Sequence, residues 1–360
     1  MRQVVVVGAG AMGRAWMDTV DRRPDLRVGA VVDLSVASAQ QAARERGWDV
    51  PCVATVEEAL AAGDQPDLLL NVTVPDAHRA VSEAALRAGV PVLSEKPVTP
   101  RVADALALAA ISEQCGTLLA TSQSRRHSPG LRAFRDAVAA YGGAAQLDEA
   151  FFQNPRFGGF RDEMESPLLV DMAIHTFDQA RYVLGSEPAS VYCEEFSPPW
   201  SWYRGGAAAQ AIFRFADGAR FAYSGSWCAD GLTTSWNGAW RASAAGGSVE
   251  WDGEQAVSAQ DAHGAPRTLR PVEQAEGLDA ALAEFLQALD GGPAPSGEIH
   301  ANIWSLAMVE AAVASARSGA PVLLDDVFAR AAEACVTAAR SSGDDATADL
   351  VASWGGAPPR

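Results

Sequence analysis

The chain has 360 residues, enough for two domains of ordinary size, and its 48% hydrophobic and 20% charged composition is that of a globular rather than a disordered protein. The net charge of −17, from 28 basic and 45 acidic side chains, argues against a nucleic-acid partner or an anionic membrane surface. Five cysteines (Cys52, Cys115, Cys193, Cys228 and Cys335) are odd in number and form no C-x-x-C pair. Neither a disulfide framework nor a metal site is therefore expected, and a reducing cytoplasm is the simplest location. Arg2 is the only basic residue before an apolar run that leads straight into a glycine turn, so no signal peptide is expected. No apolar stretch approaches the ~20 residues of a membrane span. The weight of Ala, Arg and Gly suits a high-GC bacterial gene.

Residues 4–7 are a continuous valine run that leads directly into Gly8-Ala9-Gly10-Ala11-Met12-Gly13, a full G-x-G-x-x-G. Gly8 permits the tight turn, Gly10 lets the backbone approach a pyrophosphate, and Gly13 lets the following helix pack closely on the strand. The N–H groups of that helix start, around Ala11 and Met12, attract phosphate. A second buried strand, 28–32, ends at Asp33, twenty residues past Gly13. A carboxylate there accepts hydrogen bonds from adenosine ribose hydroxyls and repels a 2′-phosphate. Leu34-Ser35-Val36 offers no arginine to receive one, so NAD is favoured over NADP.

Strand candidates 68–72, 90–93 and 118–120 alternate with helical patterns at 38–46, 56–61, 77–88 and 101–114, several stopped by glycine. This alternation predicts a Rossmann-type, doubly wound α/β parallel sheet over residues 1–123. Ligands in such sheets bind outside the carboxyl ends of the strands. Two further segments lie there: Thr73 and Pro75, before a helix carrying His78, and Ser94-Glu95-Lys96-Pro97 after strand five. Read without context, His78 is an ordinary residue of a helix's first turn.

After Tyr141-Gly142-Gly143 the pattern changes. Strands at 147–153, 190–195, 208–215, 220–227, 239–244 and 248–251, several joined by turn dipeptides, predict a large, mostly antiparallel open sheet. Helices at 171–184, 277–290 and 299–318 make this second domain, 124–340, α+β. Residues 341–360, rich in Ser, Gly, Asp and Pro, read as a mobile tail.

In the first of these helices Asp171 and His175 are four apart and share a face. Val170, Ala173, Ile174, Phe177, Ala180 and Leu184 form the opposite, apolar face, which would leave the polar one looking into a cleft. Spacing alone fits a buried Asp–His hydrogen bond equally well. Upstream, the loop 151–162 carries Arg156, Arg161 and Asp162, which suit hydroxyls or a carboxylate, or simply a solvated loop. Of the ten tryptophans, six lie between 200 and 251, where sheet core or an oligomer face explains most of them better than sugar stacking.

Taken together, the Gly8 to Gly13 loop, Asp33, Pro75 with His78, Glu95-Lys96-Pro97 and Asp171-Met172-Ala173-Ile174-His175 resemble the Gfo/Idh/MocA oxidoreductases, named for glucose-fructose and inositol oxidoreductases. The resemblance runs from residue 1 to about 325. It implies a soluble NAD-dependent dehydrogenase acting on a secondary hydroxyl of a sugar, inositol or related polyol. His175 would be the general acid or base, Lys96 the hydrogen-bond donor to the reacting oxygen, and Asp171 the group that orients this pair. Thr73, Pro75, His78 and Glu95 would join the cofactor site, the Lys96–Pro97 bond would be cis, and Arg125-Arg126 would mark the domain junction. Two rival readings remain open: a redox-assisted glycosidase or lyase, and a non-catalytic NAD-binding sugar sensor. The open sheet face calls for a cover, for which a homodimer or homotetramer is the economical solution.

Overall fold

The computed structural model describes residues 1–359, which divide into two compact units. The first comprises residues 1–123, 278–303 and, from 329, the described C-terminal residues, and the second Ser124–Gly277 and Trp304–Phe328. The expected uninterrupted second domain over 124–340 is thus broken twice by segments that return to the first unit.

The first unit alternates β1 (Arg2–Val7), α1 (Ala11–Asp21), β2 (Leu26–Val32), α2 (Val36–Glu45), β3 (Cys52–Val53), α3 (Val56–Ala61), β4 (Leu68–Asn71), α4 (Pro75–Arg87), β5 (Val92–Ser94), α5 (Val102–Cys115) and β6 (Leu119–Thr121). All six strands are parallel, in the order β3-β2-β1-β4-β5-β6. Strand order reverses between β1 and β4, so a crevice opens where their carboxyl ends diverge. Strands buried on both faces need apolar residues throughout, which is why β4 reads Leu-Leu-Leu and β1 Val-Val-Val-Val. Local signals set the helices: α3 opens with a reciprocal capping box between Thr55 and Glu58.

The second unit begins with α6 (Pro129–Ala140), β7 (Ala144–Phe152), the short α7 (Phe160–Glu163), a π-helical turn over Leu168–Met172, and α8 (Ala173–Leu184). It continues with β8 (Pro188–Phe196), β9 (Ala208–Phe215), β10 (Arg220–Ser226), β11 (Ala239–Ala244), β12 (Gly247–Trp251), β13 (Val257–Asp261) and β14 (Arg267–Leu269). After α9 (Gly277–Leu289) and α10 (Ile299–Ser318), β15 (Val322–Leu323) completes a nine-stranded sheet in the order β14-β13-β12-β11-β7-β10-β9-β8-β15. Only β7 and β10 pair in parallel; every other neighbour is antiparallel.

Alternation along the strands turns Phe213, Phe221 and Trp240 to a core where Phe221 and Trp240 stack with ring centres 5.9 Å apart. The other face carries Tyr192, Ile212 and Leu323 in the open.

The last segments are helical rather than mobile. Helix α11 (Leu324–Ser342) is followed by α12 (Asp345–Ser353), capped by Asp344 and burying Ala348 and Val351. A Ser/Gly/Asp-rich composition hid a short amphipathic helix, because the Asp344 cap is itself one of those polar residues. Among the described residues, no helix is long and apolar enough to cross a membrane.

Candidate functional site

The glycine loop is built as its spacing predicts. Gly8 has φ +107°, and a Cβ there would stand 2.5 Å from the Val72 carbonyl oxygen, so the β1 turn lies directly against the end of β4. A Cβ on Gly13 would overlap the Gly8 carbonyl, which is the close helix-to-strand packing expected of the third glycine. At Gly10, by contrast, a Cβ would meet nothing within 4 Å. Gly10 is the N-cap of α1 and supplies no side-chain acceptor, so the first N–H groups of the helix are left for an anion.

These residues border a cleft of about 540 Å³ lined by Gly8, Gly10, Met12, Asp33, Thr73 and Val74 among others. Asp33 is fixed within it: Oδ2 accepts from the Ala9 amide and Oδ1 from the Ser35 amide, both at 2.8 Å. Leu34 beside it is 94% exposed and no basic side chain follows, so nothing on this edge would offset a 2′-phosphate. The open Gly10 turn, the uncapped helix start and the anchored carboxylate fit a dinucleotide. The pyrophosphate would rest on the N–H groups at Ala11 and Met12, and a ribose on Asp33.

Three residues expected at the cofactor also hold the loops around it. His78 is buried, with Nδ1 2.7 Å from the Pro97 carbonyl and Nε2 3.0 Å from the Thr73 carbonyl. Burial, opposed by those two carbonyls and helped by the charge of Lys96, pushes the ring below the ordinary histidine range. It ties α4 to the two loops that carry Thr73 and Lys96. Glu95 accepts from Trp16 Nε1 at 2.8 Å and from the Lys96 amide at 3.1 Å, clasping α1 to the end of β5, and burial raises its carboxyl pKa. Pro75 opens α4, while its neighbours Val74 and Ala77 border the cleft. The Lys96–Pro97 bond is cis.

In the second unit Asp171 lies in the π turn and His175 in the first turn of α8. The single α-helix expected over 171–184 therefore starts as a wider turn, a local irregularity often found at functional sites. Asp171 Oδ2 accepts from Arg161 Nε at 2.6 Å. His175 is 8% exposed.

Further along α8 the polar side chains are buried and paired. Asp178 is buried and accepts from Arg126 at 2.5 and 2.7 Å and from the Ser305 hydroxyl at 2.6 Å. Arg181 reaches Glu187 and the same hydroxyl, and burial lowers its pKa to about 9. Arg125 donates to the Trp236 carbonyl and to Met172 Sδ; burial brings it down to about 10, against the nearby charges of Glu149 and Asp171.

Glu149 is a buried carboxylate beside this segment that sequence reasoning missed. It sits on β7 facing Arg125 and Thr176, and burial drives its carboxyl pKa well above the usual range. A signal existed: Leu147, Glu149 and Phe151 share one strand face, and both flanking residues are core.

The loop ahead of the π turn is packed by aromatic rings. Phe157 lies 6.0 Å from Trp227 and 6.2 Å from Trp236, Tyr203 stacks on Trp227 at 5.9 Å, and the Tyr203 hydroxyl donates to the Pro155 carbonyl at 2.8 Å. Arg156 lies 3.7 Å over the Trp202 ring. Asp162 turns a buried Oδ1 inward with no hydrogen-bond partner. Trp227, Trp240 and Trp251 are core, as expected for most of these tryptophans, whereas Trp200 and Trp236 are exposed.

Comparison with known proteins adds relatives to this geometry. Residues 2–122 match the family model described as "Oxidoreductase family, NAD-binding Rossmann fold", and residues 143–248 match the GFO/IDH/MocA C-terminal domain. A 1,5-anhydro-D-fructose reductase of Ensifer adhaerens is 27% identical over 326 residues, spanning 87% of this chain and 96% of that protein. An inositol 2-dehydrogenase of Corynebacterium glutamicum is 30% identical over 192 residues, spanning 52% of this chain and 56% of its own length. Among solved structures, an oxidoreductase from Agrobacterium radiobacter in complex with NAD+, L-tartaric acid and magnesium superposes with a TM-score of 0.82 at 18% identity. The match covers 90% of this chain and 98% of that one.

Proposed function

Because the chain belongs to the Gfo/Idh/MocA family of NAD-binding oxidoreductases, we propose that it is a dehydrogenase that oxidises a secondary hydroxyl of a sugar, inositol or related polyol, with Lys96, Asp171 and His175 acting on that hydroxyl. The relatives named for anhydrofructose and inositol support the substrate class. The observation that carries the reading is the Asp171 carboxylate, pinned by Arg161 at 2.6 Å in the π turn that leads into His175. A carboxylate and an imidazole held on one stiff segment suit proton transfer at an alcohol.

In this reading a ring nitrogen of His175 takes the hydroxyl proton. Lys96 donates a hydrogen bond to the same oxygen and favours its developing negative charge. Asp171 keeps His175 oriented and accepts from a neighbouring substrate hydroxyl. NAD, when bound, supplies the hydride acceptor for the carbon bearing the hydroxyl. The Gly8–Gly13 turn and Asp33 hold the cofactor, and Thr73 borders it; the lack of a basic residue after Asp33 supports NAD over NADP. Covering Tyr192, Ile212 and Leu323 in a homodimer or homotetramer would complete the second unit.

A panel of sugars, inositols and polyols with NAD tests the proposal by the appearance of NADH. Net NADH is expected with at least one of them. Lys96→Ala should lower turnover by about 10²-fold while NAD affinity holds, the scale of removing one electrostatic stabiliser. Cleavage of a glycoside without net NADH would replace this reading with the redox-assisted glycosidase or lyase. NAD and sugar binding with no chemistry on any substrate would replace it with the sensor.

A further inference from the structure

We infer that the substrate is a polyhydroxy carboxylate, a sugar acid, whose carboxylate is received by the Arg156 guanidinium on the aromatic wall that also carries Asp171. This rests on the dehydrogenase reading and narrows its substrate. The loop 153–163 places two arginines on this wall with different commitments. Arg161 is taken by Asp171. Arg156 has no hydrogen bond or ion pair among the described residues, yet it is not loose, because its guanidinium lies 3.7 Å over the Trp202 ring. Stacking fixes the plane of the fork while leaving its N–H edge for a ligand. An arginine without a counter-ion, ordered in advance, is set for an anion at low entropic cost.

The wall connects this cation to the reacting end. Trp202 packs on Tyr203 at 5.2 Å, Tyr203 stacks on Trp227, and Trp227 meets Phe157, over which Arg161 sits at 5.2 Å. Tyr203 also lies close enough to Asp162 and Asp171 for their charges to add to burial in raising its hydroxyl pKa to about 12. The exposed Phe157 ring at the end of this row can accept the C–H face of a pyranose or polyol chain.

A single planar fork matches the two oxygens of a carboxylate. A phosphate dianion would ask for further donors, but Arg161 is already paired, Glu163 and Asp230 stand exposed on the same and the adjoining loop, and the chain carries −17 overall.

The test compares D-gluconate, D-galactonate and D-glucuronate with glucose, galactose, myo-inositol and glucose 6-phosphate on the full chain. Binding is read by tryptophan fluorescence, which Trp202, Trp227 and Trp236 report without turnover, and catalysis by NADH formation. At least one acid should bind more tightly than its neutral counterpart. Arg156→Ala should reduce that acid-to-neutral preference by about 10- to 100-fold, mainly through KM, and Arg156→Lys should restore part of it. If acids bind through Arg156 but no compound yields NADH, the dehydrogenase reading fails and the ligand assignment stands. If neutral compounds turn over and no acid shows an Arg156-dependent response, the assignment fails and the dehydrogenase stands. A preference for glucose 6-phosphate, or silence towards all three acids, also overturns it.

Discussion

The two units hold their candidate functional groups by different means. The first presents its ligand site largely with backbone: the Gly8 turn, the uncapped start of α1, and an Asp33 carboxylate pinned by two amides. The second presents Asp171 and His175 on a segment braced by buried charges, with Arg126 on Asp178, Arg181 on Glu187, and Arg125 beside Glu149. A backbone site fails through shape, when a Cβ intrudes, and changing one of its side chains alters selectivity more than stability. A charge-braced site fails through desolvation, because each ion left without its partner stays buried.

Three substitutions test this difference. The largest effect belongs to Asp178→Ala. It strands Arg126 and leaves Arg181 near a second unneutralised guanidinium, and should cost roughly 3–5 kcal/mol in urea unfolding. A loss below about 1 kcal/mol would mean that the charges around α8 are well solvated, and the contrast would collapse. Asp33→Ser should leave stability nearly unchanged, weaken NAD by about tenfold, and relax the discrimination against NADP. Tighter binding of NADP than of NAD by the wild-type protein would show that Asp33 does not set the cofactor preference.

The smallest effect concerns Glu195, which accepts from the Ser166 hydroxyl at 2.8 Å and is raised by burial from 4.5 to about 7. Between those values the folded chain holds this proton more tightly than the unfolded chain. Its contribution is therefore full at acid pH and declines as pH climbs to about 7. Glu195→Gln should remove part of the alkaline loss of Tm, about 2–4 °C between pH 5 and 8. Identical Tm-versus-pH curves for the two proteins would show that the carboxyl is well solvated.

The site of the first unit was legible because its parts are contiguous in sequence. Gly8, Gly10 and Gly13 act through one turn, and Asp33 ends the very next strand. His78 and Glu95 were harder, since a polar residue near a ligand and one that braces the loop behind it carry the same local pattern; only the Pro97 and Thr73 carbonyls around His78 distinguish them. In the second unit the helix with Asp171 and His175 was legible from periodicity. The π turn was not, because one extra residue in a turn leaves no compositional trace. Nor was the Arg161–Asp171 pair, which depends on where a ten-residue loop folds back. The short strands β3, β13, β14 and β15 went unread, since two to five residues are too few for a period to show.

The interleaved order of the two units also bears on how the chain is made. Ala281, Leu282, Phe285 and Leu286 of α9 pack in the same core as Val4, Trp16 and Met17 of the first strand and helix. The glycine turn is synthesised before α9, and the core behind it is completed only after residues 124–277 of the second unit have been made. At roughly 5–20 residues per second, translation separates the two events by about ten seconds or more. Throughout that interval the nascent parallel sheet shows an apolar flank to the cell, and a chaperone that shields it would act on a sheet still waiting for its last helix.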